Sequence, residues 1–407
     1  MATDAGIMLF NLPDLAQQDF HGARAHAHNR RAAALWAAFR EGRHERVPVR
    51  FNTNPRMLML DESYNKCGMS YQEYMHDPEV MAQVVLEWQY WCRFMLPGDH
   101  EKGLPVQWPV HVDFQNLYEA AWFGCPVHYR DGQVPDTTPI LDDDNKRMLF
   151  DAGIPDPFAG AWTERWFHFI NTWDKKRLRG WTFLGIPVAP VKTSPFAGTD
   201  GVFTVAASLR GATELCRDLL EDPEYARELL EYVYEATAER MRSWRDRLEI
   251  PMPQDSFVTA DDAIELLSVE QYREFVLPLH KRLYGEFATA EARSIHLCGH
   301  VQRLLPVVRQ ELGVTVYDTG FPLDFAELRR QLGTESTIYG GPRVQLFVGD
   351  SRDELAAEAE RILQSGVLEG GRFVLQEGNN LPPRTPLDHC QAVYDTAEKA
   401  SRRDGWW

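Results

Sequence analysis

The chain has 407 residues, and 60 aspartates and glutamates against 43 lysines and arginines give it a formal charge of −17. That balance excludes a nucleic-acid binder built on clustered cations, and no apolar run reaches the roughly 20 residues that span a bilayer. A hydrophobic content of 44% suffices for a substantial core, and six scattered cysteines (67, 92, 125, 216, 298, 390) read as free thiols of a reducing, cytoplasmic compartment rather than as a disulfide framework.

The apolar stretch 1–12 has no basic region before it and no small-residue cleavage site, so it does not read as a secretory signal. Residues 1–30 read as an irregular arm with a histidine patch, His21, His26 and His28. Nothing fixes the geometry of that patch, so a solvated arm explains it better than a metal site. Residues 31–40 are Ala-rich with Leu35, Trp36 and Phe39 at helical spacing, and 47–51 read as a first buried strand. Helical sequence runs over 69–95, broken near Asp77-Pro78. Segments 182–188 and 202–205 are strand-like. A long helical stretch, 212–246, breaks near Asp222-Pro223, where the proline suits a first turn. Strands at 256–260, 294–298, 314–317, 336–339 and 372–376 then alternate with helices at 269–288, 301–312, 325–332, 351–364 and 387–400.

Strands alternating with helices pair in parallel through βαβ units. About eight strands from Val47 onward predict an α/β protein, a single (β/α)8 TIM-type barrel. Its domain is 31–400, with an aromatic-rich insertion over 96–181 and a tail over 401–407. Polar residues gather just after strands: Asp261 and Asp262, His296 to His300, Asp318, Gly340 and Gly341, Glu377 to Asn380. Active sites of such barrels are built at that end. The insertion holds Trp108, Trp122, Trp162, Trp166, Trp173 and Trp181, which read as a packed lid or oligomer contact, or as the wall of a pocket for a flat substrate.

The densest chemistry is Arg-Ser-Ile-His-Leu-Cys-Gly-His at 293–300. Strand side chains alternate faces, so His296 and Cys298 share one. An imidazole and a thiol together make half of a zinc site. A buried core cysteine beside a hydrogen-bonded histidine explains the same pair without metal.

Several segments resemble the uroporphyrinogen decarboxylase superfamily, which includes the cobalamin-dependent methyltransferases. Arg31-Ala-Ala-Ala-Leu to Glu45-Arg-Val-Pro-Val49 resembles its opening helix and strand. Val202-Phe-Thr-Val to Leu219-Leu-Glu-Asp-Pro-Glu224 resembles its middle, Gly340-Gly-Pro-Arg-Val-Gln-Leu346 its late glycine turn, and Glu377-Gly-Asn-Asn-Leu-Pro-Pro-Arg-Thr-Pro386 its last-strand motif. The resemblance implies that His296 and Cys298 fall on the zinc ligands of the methyltransferase branch. It also implies a corrinoid cofactor carried on a separate small protein, and dimerisation. The decarboxylases' arginine-rich signature is incomplete here: Arg56 matches one arginine, and Asn52 stands where the other would be. The branch's second cysteine ligand is replaced by Asn379, which makes Glu377 the nearest third ligand, with Asp261, Asp262, Asp318 and His300 as rivals.

The Asp261-Asp262 pair reads as a ligand-orienting or proton-relay group, or as a helix cap. Tyr317 and Asp318 end a strand and would line one cavity. Arg343 beside the two glycines suits an anionic group, with Asn52, Arg56 and Asn379 as further substrate contacts. The expected function is zinc-dependent methyl transfer between a small substrate, an aromatic methyl ether by the tryptophans and the harder ligand set, and a corrinoid. The alternatives are a metal-free decarboxylase holding carboxylates on Arg50, Arg56 and Arg343, and a non-catalytic corrinoid- or ligand-binding barrel.

Overall fold

Five short strands supply the frame on which polar residues are displayed. In the computed structural model they are Val258–Ala260, Ser294–Leu297, Val316–Thr319, Thr337–Gly340 and Phe373–Leu375, and they form one sheet whose spatial order follows chain order. The structure describes residues 8–15, 22–291 and 293–400. Thr259 lies opposite Ile295 and Tyr339 opposite Val374, both in parallel register. Parallel neighbours require crossovers. Helices Leu277–Phe287, Leu305–Leu312, Phe325–Leu332 and Arg352–Leu363 provide them, and Leu387–Ala400 follows the last strand. The fold is therefore α/β with a parallel five-stranded sheet.

The described residues group into two compact units. The first comprises Met1–His111, Thr172–Val191 and Asp318–Trp407, and the second Val112–Asn171 and Lys192–Tyr317. In the first unit, the predicted strand over 47–51 lies against the last strand of the sheet. Arg50 N–H donates to Leu375 O at 3.0 Å and Leu375 N–H to Pro48 O at 2.9 Å. Val49, Leu58, Ile338, Val374 and Leu375 are fully buried there. Gly341 follows the Thr337–Gly340 strand, and a Cβ on it would lie 1.8 Å from the Gln376 carbonyl oxygen. Close backbone approach thus explains this glycine without a ligand.

In the second unit, Trp244 is the centre of an aromatic cluster. Phe196 stacks on it at 5.2 Å between centroids and Trp166 meets it edge-on at 4.8 Å. Trp108, Trp122, Trp166 and Trp173 are buried within their units, so these tryptophans of the 96–181 segment serve packing.

Three local expectations are corrected. Residues 202–205 lie in a helix, Val202–Arg210, rather than a strand. Val and Phe favour strands only weakly, and tertiary capping decides here. Asp261 accepts hydrogen bonds from Phe203 N at 3.2 Å and Thr204 N at 2.7 Å. Gly201 (φ 92°) turns the chain into that helix, and a Cβ on it would meet the Ala260 carbonyl oxygen at 2.3 Å. Residues 182–188 form a tight hairpin, Thr182–Phe183 with Ile186–Pro187. Leu184 (φ 51°) and Gly185 (φ 76°) are its two-residue turn, the mirror-image type that matches strand twist. The helix expected from residue 31 begins earlier, as Ala23–Arg40, so His26 and His28 lie on it. His21 and the tail 401–407 lie outside the described residues.

The breaks at 77–78 and 222–223 fall as the prolines predict. Asp77 caps Pro78–Phe94 and Asp222 caps Pro223–Arg247, each proline standing in the first turn. Among the described residues no helix is long and apolar enough to cross a membrane.

Candidate metal centre

Strand alternation does at 294–298 what the sequence predicts. Ile295 and Leu297 are buried, while Ser294, His296 and Cys298 are half-buried on the other face. Asp262 opens a single-turn 3₁₀ helix, Asp262–Leu266, in the same unit. One donor atom each from Asp262, His296 and Cys298 lies within 4.8 Å of the others. Asp262 Oδ1 is 3.8 Å from His296 Nε2 and accepts the Cys298 backbone N–H at 2.7 Å. That amide orients the carboxylate beside the Cys298 thiol. Burial pushes the Cys298 thiol up, against a hydrogen bond from His296 that pulls it down.

The loop after Cys298 is held close. Glu265 accepts the His300 N–H at 2.9 Å. The Arg303 guanidinium donates to the Leu267 carbonyl at 2.6 Å and also to the Glu265 carbonyl. His300 is therefore tied down by its backbone, with an exposed side chain.

Asp261 does something different from its neighbour. It is fully buried. Besides the two amides of the Val202–Arg210 helix, it accepts the Thr204 hydroxyl at 2.8 Å and His280 Nε2 at 2.8 Å. His280 Nδ1 in turn meets the Tyr272 hydroxyl at 3.1 Å. Asp261 is thus a cap for a helix that lay unrecognised in the sequence, not for the short turn that follows it.

Two residues of this unit had no sequence signal. His280 lies inside a helix. Asp200 stands in a Gly-Thr-Asp-Gly loop that follows no strand. Its N–H donates to Glu119 at 2.6 Å, and Glu119 pairs with Arg240 at 2.5 Å in full burial. Burial, then the charges of Glu119 and Asp262, push the Asp200 carboxyl up to about 8.

Tyr317 and Asp318, expected to line one cavity, are adjacent strand positions and so face opposite ways. Tyr317 is buried, and its hydroxyl donates to the Val314 carbonyl at 2.9 Å. Asp318 accepts Gln376 Nε2 at 2.5 Å.

The remaining predicted residues belong to the first unit. Glu377 is fully buried. Its Oε1 accepts the Asn52 N–H at 3.0 Å, and its Oε2 has no partner among the described residues. Burial holds this carboxyl well above the usual range. Asn52 also reaches the Asn379 carbonyl through Nδ2 at 3.4 Å, and its own carbonyl takes the Leu381 N–H at 2.9 Å. Asn379 (φ 135°) is therefore part of a tied loop. Arg56 begins the short helix Arg56–Met59, its N–H donating to Asn54 at 3.0 Å. Arg343 is exposed and lines a cleft of about 500 Å³ with Gly320, Phe321 and Gly341.

The donors of the cluster suit zinc, which takes imidazole nitrogen, thiolate sulfur and carboxylate oxygen. Bonds of roughly 2.0–2.3 Å in a tetrahedral site put ligand atoms about 3.4 Å apart. The widest separation of 4.8 Å thus needs about an ångström of side-chain adjustment. Three ligands leave a fourth position open, as catalytic sites require.

Sheet, helices and strand-end cluster together define an α/β protein with a candidate metal centre. The chain belongs to the uroporphyrinogen decarboxylase (URO-D) family, whose model matches residues 189–400. It is 29% identical over 212 residues to the methylated-thiol–coenzyme M methyltransferase of Methanosarcina mazei, covering 51% of this chain and 52% of that protein. The chain thus spans about half the length of the curated relative it matches. A solved methyltransferase from Methanosarcina mazei superposes with a TM-score of 0.58 at 17% identity, over 90% of this chain and 98% of that one. At that identity the likeness is one of fold.

Proposed function

We propose that the chain is a zinc-dependent methyltransferase that moves a methyl group between a small substrate and a corrinoid carried by a partner protein. The observation that carries this reading is the nitrogen–sulfur–oxygen group Asp262, His296 and Cys298 at a strand end of a URO-D family chain. The two similar proteins, both called methyltransferases, support it.

His296 and Cys298 are the proposed ligands, and Asp262 takes the third place expected for Glu377. Zinc in this set supplies Lewis acidity, greater than in a two-sulfur set because oxygen donates less charge. That favours a methyl group carried on oxygen, as in an aromatic methyl ether, over one carried on sulfur. Asp261 acts as a positioning residue through the Val202–Arg210 helix, and Asp262 is anchored by the Cys298 amide. Asp318 and Arg343 are proposed substrate contacts. Asn52, Asn379 and Arg56 act through the loops they fix.

The same reading closes the sheet into a (β/α)8 barrel over 31–400 with 96–181 as its insertion. The parallel pairing of Val49 with Leu375 supports this. The decarboxylase alternative loses weight because Arg50 is already committed: it donates to Asn52 at 2.7 Å and lies over the Tyr339 ring at 5.1 Å.

The test is metal analysis combined with turnover. The purified protein should hold about one zinc per chain, and chelation should abolish demethylation of an aromatic methyl ether by a reduced corrinoid protein. Full activity of the metal-free protein would overturn the reading.

A further inference from the structure

A second site lies in the first unit, built by the helix Ala23–Arg40 and the 94–102 segment. Arg24, His28 and Arg31 are spaced i, i+4, i+7, so they share one face of that helix. They line a cleft of about 410 Å³ together with Lys102, and among the described residues its lining contains no aspartate or glutamate. In a chain of net charge −17, a lining with four basic side chains concentrates positive charge, with Asp99 acting on His28 and Lys102 from the same segment. Among the described residues neither Arg24 nor Arg31 pairs with a carboxylate.

The cleft is also held in shape. Asn29 clasps the backbone of Lys102 by two hydrogen bonds, 3.1 Å to its carbonyl and 2.8 Å from its N–H. His28 Nε2 is 3.0 Å from the His100 carbonyl. The Lys102 ammonium donates to the Leu96 carbonyl, with His100 Nε2 2.9 Å away. Phe94, Leu96 and Pro97 form an apolar floor.

We propose that this cleft binds a small organic anion with an apolar body, its charged group held by Arg31 and Lys102 and its body lying along Phe94 and Leu96. Charge-assisted hydrogen bonds to a carboxylate would satisfy cations that otherwise crowd one another. Burial first and then the Lys102 charge lower the His28 pKa, against the His100 carbonyl and the Asp99 carboxylate. Burial lowers Lys102 itself to about 7, a condition that a bound anion relieves. This site is independent of the methyltransferase reading.

Calorimetric titration of the full chain with octanoate, octanol and inorganic phosphate tests the proposal. Octanoate should bind saturably, with octanol and phosphate each weaker by about tenfold or more. Arg31→Gln and Lys102→Met should each weaken octanoate by about fivefold to tenfold. Should Lys102→Met fail to fold, the double variant Arg24→Gln, Arg31→Gln decides, because both residues are exposed on the helix surface. The proposal is overturned if octanoate does not bind, if octanol or phosphate binds as tightly, or if the charge-removing variants bind octanoate like wild type.

Discussion

Asp262 and Glu377 both follow strands, and their surroundings are opposite. Asp262 keeps 39% of its side chain exposed, beside an imidazole, and accepts one backbone amide. Glu377 is fully buried, with one oxygen on the Asn52 amide and the other without a partner among the described residues. A metal ligand must give up its proton and adjust its position to the ion. Burial works against both in Glu377, whose carboxyl is held well above its usual range. Two acidic residues that look equivalent in sequence are thus suited to different work: one to coordination, the other to a neutral hydrogen-bonding role.

The largest effect tests the coordinating side. The double variant His296→Ala, Cys298→Ala should lose essentially all bound zinc and all demethylation, because two of three ligands are gone. Zinc retained at wild-type stoichiometry would place the metal elsewhere.

The two carboxylates should respond in opposite ways. Asp262→Ala should weaken zinc by roughly 10- to 100-fold, read by competition with a chromophoric chelator. Glu377→Gln should leave zinc affinity within about twofold of wild type. The reverse pattern would restore Glu377 as the ligand.

Asp261 sharpens the contrast from the neighbouring position. Asp261→Ala strips the cap from the Val202–Arg210 helix and leaves buried amides and His280 without their acceptor. It should destabilise the protein by about 2–4 kcal/mol in urea unfolding while zinc affinity holds. A loss below about 1 kcal/mol would show that the cap is dispensable.

The smallest effect is a pH dependence. The folded-state pKa of Glu377 is raised, whereas the unfolded chain releases this proton above about 4.3. The folded state then binds more protons, so this group's contribution to stability falls as pH rises. Glu377→Gln removes that term. The Tm of the variant relative to wild type should therefore rise as pH increases from about 5 to about 8. A difference that does not vary with pH would contradict a buried, neutral Glu377.

The His296 and Cys298 pair was legible because a period of two residues is a property of any strand, whatever surrounds it. The α/β class was legible from the alternation of helix and strand signals between 256 and 400. The third member of the cluster was not. Asp262 comes from a turn 34 residues before His296, and only folding brings it near. The sequence offered Asp261 and Asp262 together with no sign of which would turn inward, since that depends on the helix at 202–210. That helix was itself hidden by β-favouring Val202, Phe203 and Val205, whose propensity is weaker than an N-terminal cap supplied by a residue 58 positions from Phe203. Asp200 gave no signal because its loop follows no strand. The cleft at Arg24 and Lys102 was hidden for a related reason: the helix that carries Arg24, His28 and Arg31 begins at Ala23, inside the segment read as irregular.

X-ray absorption at the zinc edge of the purified wild-type protein, with metal content measured on the same sample, reads the ligand set itself. About one zinc per chain is expected, with a single sulfur at about 2.3 Å and the remaining ligands nitrogen or oxygen at about 2.0–2.2 Å. Two sulfur ligands, or no zinc above the level of the His296→Ala, Cys298→Ala variant, would contradict the assignment of Asp262, His296 and Cys298 as the metal centre.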